Sequence, residues 1–192
     1  MRQSCRMLGA ISLVCVLTVT PTDAAFYSVP RALKGQFDRI GFGEPALQPM
    51  AHTLFCLRHP EECRPARRRS QPRAVTLTED RWRQLVEVIR EVNRVIAPKA
   101  YPVAVLRDTW TLNPVSGDCN DYAITKRHRL IAQGWPSHAL LLAVVQTISG
   151  AGHLVLVART RAGDFVLDNL RHDIKPSTET RYAWMAIQSP RN

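Results

Sequence analysis

Three residues set far apart along the chain, Cys119, His153 and Asp168, could together carry nucleophilic acyl chemistry. The segment Gly117-Asp118-Cys119-Asn120-Asp121-Tyr122-Ala123 places a cysteine where a helix begins. The first N–H groups of a helix lack internal partners, and its dipole is positive there. Both effects favour the thiolate, which is the reactive form. The same N–H groups can hold a developing oxyanion. A cysteine in mid-helix would instead be an inert core thiol.

A thiolate nucleophile needs a base, and the chain offers six histidines. His52 and His59 belong to an early helix, His128 sits between two arginines, His138 begins a strand and His172 lies past one. His153 differs from these. It follows Gly150-Ala151-Gly152, which leaves room for a substrate, and opens the apolar strand Leu154-Val155-Leu156-Val157. Asp168 closes the apolar run Phe165-Val166-Leu167, where a lone carboxylate is costly unless paired. It is the candidate acceptor that orients the base. The bland alternatives are a strand-edge histidine and a turn aspartate.

The elements that must position these groups follow from periodicity. Residues 44–59 are expected to be helical, with Leu47, Met50, Ala51, Leu54 and Phe55 on one stripe. Thr78 should cap a helix running to about Ala97, with Trp82, Leu85, Val86, Ile89, Val92 and Ile96 inward and Pro98 as its stop. Residues 99–118 read as a long loop. A further helix should begin near Cys119 and end at Gly134. The period then becomes two. His138–Thr147, His153–Thr160, Phe165–Leu170 and Arg181–Ile187 read as an antiparallel sheet. Helices first and strands after give an α+β fold, with N-terminal helices packed on an antiparallel sheet.

His153 and Asp168 would face each other if the hairpin centre fell between Thr160 and Arg161. The turn chemistry of Ala162-Gly163-Asp164 puts that centre about two residues later, displacing Asp168 by roughly 13 Å. An irregular turn or a bulge is therefore expected.

Composition bounds the rest. With 45% hydrophobic and 22% charged residues, the chain belongs to the globular class. Arg2 and Arg6, the apolar stretch Met7–Val19 and Thr22-Asp23-Ala24-Ala25 read as a signal peptide over residues 1–25, leaving a domain over 26–192. Cleavage would lower the net charge from +10 to +9, through loss of two arginines and one aspartate. The expected location is periplasmic or secreted, with no stable membrane insertion after cleavage. Export leaves Cys56, Cys63 and Cys119, which suggests one disulfide and one free thiol. Cys56 and Cys63 are the natural pair. On one straight helix their Cα atoms would lie about 10.5 Å apart, too far to bridge, but Pro60 should end the helix and let the chain fold back. Arg64, Arg67, Arg68, Arg69 and Arg73, between Pro65 and Pro72, read as a solvated loop.

Gly-Asp-Cys119-x-Asp-Tyr-Ala, Gly134, the His153 strand and Val166-Leu167-Asp168-Asn169 resemble the bacterial transglutaminase-like cysteine peptidases, the group of the periplasmic adhesin-releasing proteases. Cys56-x-x-x-Pro60-x-Glu62-Cys63, Trp82, Asn93 and Asp108-x-Trp110 extend the match over roughly residues 40–187. The resemblance implies a papain-like or transglutaminase-like core. It makes Cys119 the nucleophile, with its backbone N–H in the oxyanion hole, His153 the base and then the acid, and Asp168 the orienting acceptor. It implies a protein substrate, such as a surface adhesin; no cofactor is expected to be required for the chemistry, and the protein is expected to be a monomer. It also implies a calcium site at Asp118, Asn120 and Asp121. Asn120 stands where such relatives often carry Glu, which keeps an oxygen ligand but loses a charge.

The same triad would serve acyl transfer to an amine, as in true transglutaminases. A different class, a non-catalytic periplasmic binding module, draws on the arginine-rich loop and a pI near 10.0. Nucleic acid is not an expected partner, because aromatic content is low and no reader motif occurs.

Overall fold

The computed structural model describes residues 50–63, 74–99 and 109–188. Four helices precede the main sheet: α1 (Met50–Arg58), α2 (Pro60–Cys63), α3 (Glu79–Val95) and α4 (Cys119–Ala132). A two-residue parallel pair, β1 (Ala97–Pro98) with β2 (Ser116–Gly117), lies between α3 and α4. The sheet comprises β3 (Leu140–Gln146), β4 (Gly152–Thr160), β5 (Gly163–Leu167), β6 (Lys175–Pro176) and β7 (Ala183–Ile187). Its order is β6-β5-β4-β3-β7, antiparallel throughout.

Capping chemistry sets the helix ends. Thr78 accepts from Arg81 N at the start of α3, as its position predicts. Asp118 caps α4, and Gly134, at φ 88°, follows its last turn. Leu85, Ile89 and Val92 of α3 pack with Tyr122, Ile124 and Leu130 of α4 and with Leu140, Leu142, Leu154 and Leu156 of the sheet. The alternate strand residues Leu141, Ala143, Val145, Val155, Val157 and Val166 form a second core on the opposite face, beside Tyr182, Trp184 and Ile187. Both faces of β3 and β4 are buried, so their apolar residues run on without the alternation that the expected period of two implies.

Three expectations change. The α1 stripe is rotated: Met50 and Leu54 are exposed, while Ala51, His52 and Phe55 turn inward. The edge-on contact of His52 with Trp110 (ring centres 5.3 Å apart) and the packing of Phe55 on the same ring select that face. The loop before α4 is not wholly irregular, since Ala97 N donates to Val115 O and Lys99 N to Gly117 O, both at 2.9 Å. These bonds tie the end of α3 to the approach to Cys119. Finally, the segment at His138 begins as a 3₁₀ turn, Ser137–Ala139, and the strand starts only at Leu140.

The β4–β5 hairpin corrects the expected bulge. Thr160 pairs with Gly163 and Leu156 with Leu167 in one unbroken register, so the turn is the two residues Arg161-Ala162. The Thr160 hydroxyl donates to Gly163 O and accepts from Ala162 N, and Gly163 takes φ 124°, which explains the glycine. The centre lies one residue after Thr160-Arg161, rather than two. Asp168 is thus displaced from His153 by two positions, about 7 Å along the strand. A two-residue offset keeps both in the same side-chain row, as a diagonal pair. The irregular register lies elsewhere, between Val144 and Val145 where β3 meets β7.

The Cys56–Cys63 disulfide is present, with Cα atoms 5.5 Å apart. α1 ends at Arg58, before Pro60 opens α2, so the chain doubles back as the proline requires.

Candidate active site

Cys119 is the first residue of α4, outside the Cys56–Cys63 disulfide and 6% exposed. A reciprocal cap fixes it. Asp118 Oδ1 accepts from Asn120 N at 2.9 Å and from Asp121 N at 3.4 Å, and Asp121 Oδ2 accepts from Asp118 N at 3.2 Å. Thr111 N donates to Asp121 Oδ1 at 2.7 Å, drawing the preceding loop onto the cap. Gly117 is dictated by this geometry, because a Cβ there would lie 2.7 Å from Asp121 Oδ2.

His153 is the second residue of β4, and Asp168 immediately follows β5, so both stand at the same end of the sheet. His153 Nε2 and Asp168 Oδ1 are 2.7 Å apart, and both side chains are buried. The same imidazole is hydrogen-bonded to the Cys119 side chain. Burial alone would lower the His153 pKa. The hydrogen bonds to Asp168 and Cys119 and their charges outweigh it, raising the imidazole to about 9.

Asp168 is held as a carboxylate by three donors. Burial would raise its pKa, but His153, the Tyr182 hydroxyl and Leu170 N (3.0 Å to Oδ1) together hold it below the ordinary value. Burial and the neighbouring Asp168 carboxylate push the Tyr182 phenol well up, so it stays a donor. Asn93 Nδ2 on α3 donates to the backbone oxygens of Asp168 (2.9 Å) and Arg171 (2.7 Å), clamping the segment after β5. A cavity of about 580 Å³ opens on this side, lined by Asp168, Leu170, Arg171, Tyr182, Thr147 and Arg181.

All three expected residues are thus brought together. Sequence reasoning missed Tyr182, which stands 14 residues from Asp168 at the approach to β7. No local pattern marks a tyrosine that reaches across strands.

Asp118, Asn120 and Asp121 also lie together, as adjacency on one helix turn requires. The two carboxylates accept from backbone N–H groups in the cap. Calcium takes six to eight oxygens. Among the described residues these three do not by themselves make such a cage, and no step below runs through the metal. The signal segment, Asp108 and the arginine-rich stretch 64–73 lie outside the described residues.

Comparison with known proteins places these observations in a family. A family model described as bacterial transglutaminase-like cysteine proteinase (BTLCP) matches residues 42–192. Among solved structures, the chain is similar to calcium-bound LapG of Legionella pneumophila, with 24% identity and TM-score 0.49, covering 54% of this chain and 62% of that one. It is also similar to EGTA-treated LapG from the same organism, with 25% identity and TM-score 0.47, over 54% and 60%. The likeness therefore spans less than two thirds of those chains. No curated protein sequence matches. The family match covers most of the sequence and contains every residue of the Cys119–His153–Asp168 cluster: this chain belongs to the bacterial transglutaminase-like cysteine proteinases.

Proposed function

We propose that this protein is an exported cysteine peptidase that hydrolyses a peptide bond in a surface or periplasmic protein. The observation that carries the reading is one imidazole bonded to both Asp168 and the Cys119 side chain, at the amino end of α4. In the proposed reaction, His153 takes the proton of the Cys119 thiol. The thiolate attacks the scissile carbonyl carbon, and the electron pair of the C=O bond moves to oxygen. The Cys119 N–H, in the first turn of the helix, donates to that oxyanion. The imidazolium passes its proton to the leaving nitrogen as the C–N bond breaks, and a thioester remains. His153 then takes a proton from water, the resulting hydroxide attacks the thioester, and the C–S bond breaks to release the acid and the thiolate. Asp168 keeps the ring oriented throughout and compensates its charge.

No helix among the described residues is long and apolar enough to cross a membrane.

The decisive test incubates the protein, and separately Cys119→Ala, with surface and periplasmic protein extract, and reads new N-termini by mass spectrometry. Termini that appear only with the wild type support hydrolysis. Identical termini in both samples would refute it. A mass gain from an added amine, without new termini, would assign the same triad to acyl transfer.

A further inference from the structure

Tyr182 is aimed at the site by an irregularity in the sheet. β3 and β7 pair with Val144 opposite Ala186 but Val145 opposite Trp184, so the ladder passes over Met185. One extra residue of this kind reverses the side-chain alternation along its strand. Ile187 and Trp184 therefore both pack on the core face of Ala143 and Val145, although an odd number of positions separates them. Tyr182 lies two residues before Trp184 and packs on that same face. His153 belongs to it as well, since it pairs with Val145, and Asp168 follows Val166 of this core by two residues. In an unbroken ladder the alternation counted back from Ile187 would direct Tyr182 to the opposite face.

The two oxygens of Asp168 have separate partners. Oδ1 accepts from Leu170 N at 3.0 Å and lies 2.7 Å from His153 Nε2. Oδ2 accepts from the Tyr182 hydroxyl, its one hydrogen-bond donor among the described residues. The Tyr182 ring centre lies 6.0 Å from that of His153. Arg171, the nearest arginine in the sequence, is committed to Asp173 through hydrogen bonds of 2.9 and 3.1 Å. Asp168 is buried, so without the phenol Oδ2 would be a buried anionic oxygen lacking a donor, which is a costly state. The carboxylate would then turn or take up a proton, and either change loosens its hold on the imidazole.

Resting on the peptidase reading, we propose that Tyr182 is a positioning residue of the site: by holding Asp168 Oδ2, its hydroxyl fixes the carboxylate with Oδ1 on His153. It acts on the reacting sulfur only through Asp168 and the imidazole. The skipped residue Met185 is the device that turns the phenol to the required face.

Tyr182→Phe keeps the ring and removes the donor, and two opposite outcomes separate the possibilities. A carboxylate that kept its place without the phenol would be a stronger acceptor and would raise His153. A carboxylate that needs the phenol would turn or be protonated, and His153 would lose the partner that raises it. NMR titration of His153 in histidine-labelled protein should therefore give a Tyr182→Phe midpoint about one unit below that of the wild type. An unchanged or higher midpoint would overturn the proposal. The second measurement is the rate of Cys119 alkylation by iodoacetamide near neutral pH in wild type, Tyr182→Phe, Asp168→Ala and the double variant. Melting curves set a temperature at which all four are folded. Tyr182→Phe should slow alkylation about tenfold in the wild-type background and have no further effect beside Asp168→Ala. Equal slowing in both backgrounds would overturn the proposal, because a phenol that only supports packing acts whether or not the carboxylate is there. Neither readout needs a substrate. A wild type that alkylates rapidly but cuts nothing in the surface and periplasmic extract would refute the peptidase reading alone.

Discussion

His153 shows how one residue can be chosen for a task by its neighbours. Desolvation and two acceptor groups pull its proton affinity in opposite directions, and the acceptors win, bringing it to about 9. Catalysis through a thiolate–imidazolium pair should therefore persist above neutrality and decline as pH rises through about 9. A kcat/KM profile on a cleaved peptide, or a pH series of Cys119 alkylation, checks this. A profile that is flat through that range would contradict the assignment. The folding linkage has the same sign. A base whose native pKa exceeds its ordinary 6.5 stabilises the fold fully below that value and loses the contribution as pH rises through about 9. Asp168 runs the other way: its contribution is present above 3.8 and lost as pH falls. The three residues of the candidate site, which the fold brings together, were legible in the sequence because each carries a local mark: a cap before Cys119, small residues before His153 and an apolar run before Asp168. Tyr182 was not, because its role depends on a carboxylate brought near only by the finished fold.

The capped start of α4 is the element on which the site turns. Gly117→Ala would drive a Cβ into the Asp121 carboxylate, whose nearest atoms would lie 2.7 Å away. The cap must then shift, at a cost of about 1–3 kcal/mol. Denaturant titration should show that loss, together with slower Cys119 alkylation, since the helix end that orients the sulfur has moved. The same cap bears on calcium. Asp118 and Asp121 already serve backbone donors, and position 120 supplies no charge. Melting temperatures in EGTA and in about 0.1 mM calcium should coincide. A calcium-dependent rise would show that residues beyond these three complete a cage. Element type was readable from periodicity and capping, and α3, α4 and the four longer strands follow it. The hairpin register was misjudged because Gly163 was assigned to the middle of the turn. It is instead the first residue of β5. The two-residue edge strand Lys175–Pro176 carries too little pattern to be seen at all.

At the scale of the molecule, one tie closes the N-terminal helices on each other and another joins them to α4 and the sheet. The disulfide closes α1 on α2, and beside it the buried Glu62 accepts from Arg127 Nη1 at 2.9 Å and meets His128 Nδ1 at 2.6 Å. Arg127 also donates to Leu140 O, so one guanidinium links α2, α4 and the start of β3. Replacing Cys56 and Cys63 by serine should lower stability by about 2.5 kcal/mol in chemical denaturation. Peptide cleavage at low temperature should persist, because the Glu62–Arg127 contact is independent of the sulfurs. The overall α+β arrangement was legible, since the switch of period after Gly134 separates the layers. The burial of both sheet faces was not, because alternation disappears when neither face meets water. The far end of the chain carries a consequence of its own. Tyr182 precedes β7, the edge strand that joins last in the order of synthesis. A nascent or clipped product ending before it would possess all three reacting groups and still lack the phenol that completes the aspartate's shell. Without that phenol, Asp168 would keep His153 and Leu170 N as its side-chain donors, one fewer than in the full shell.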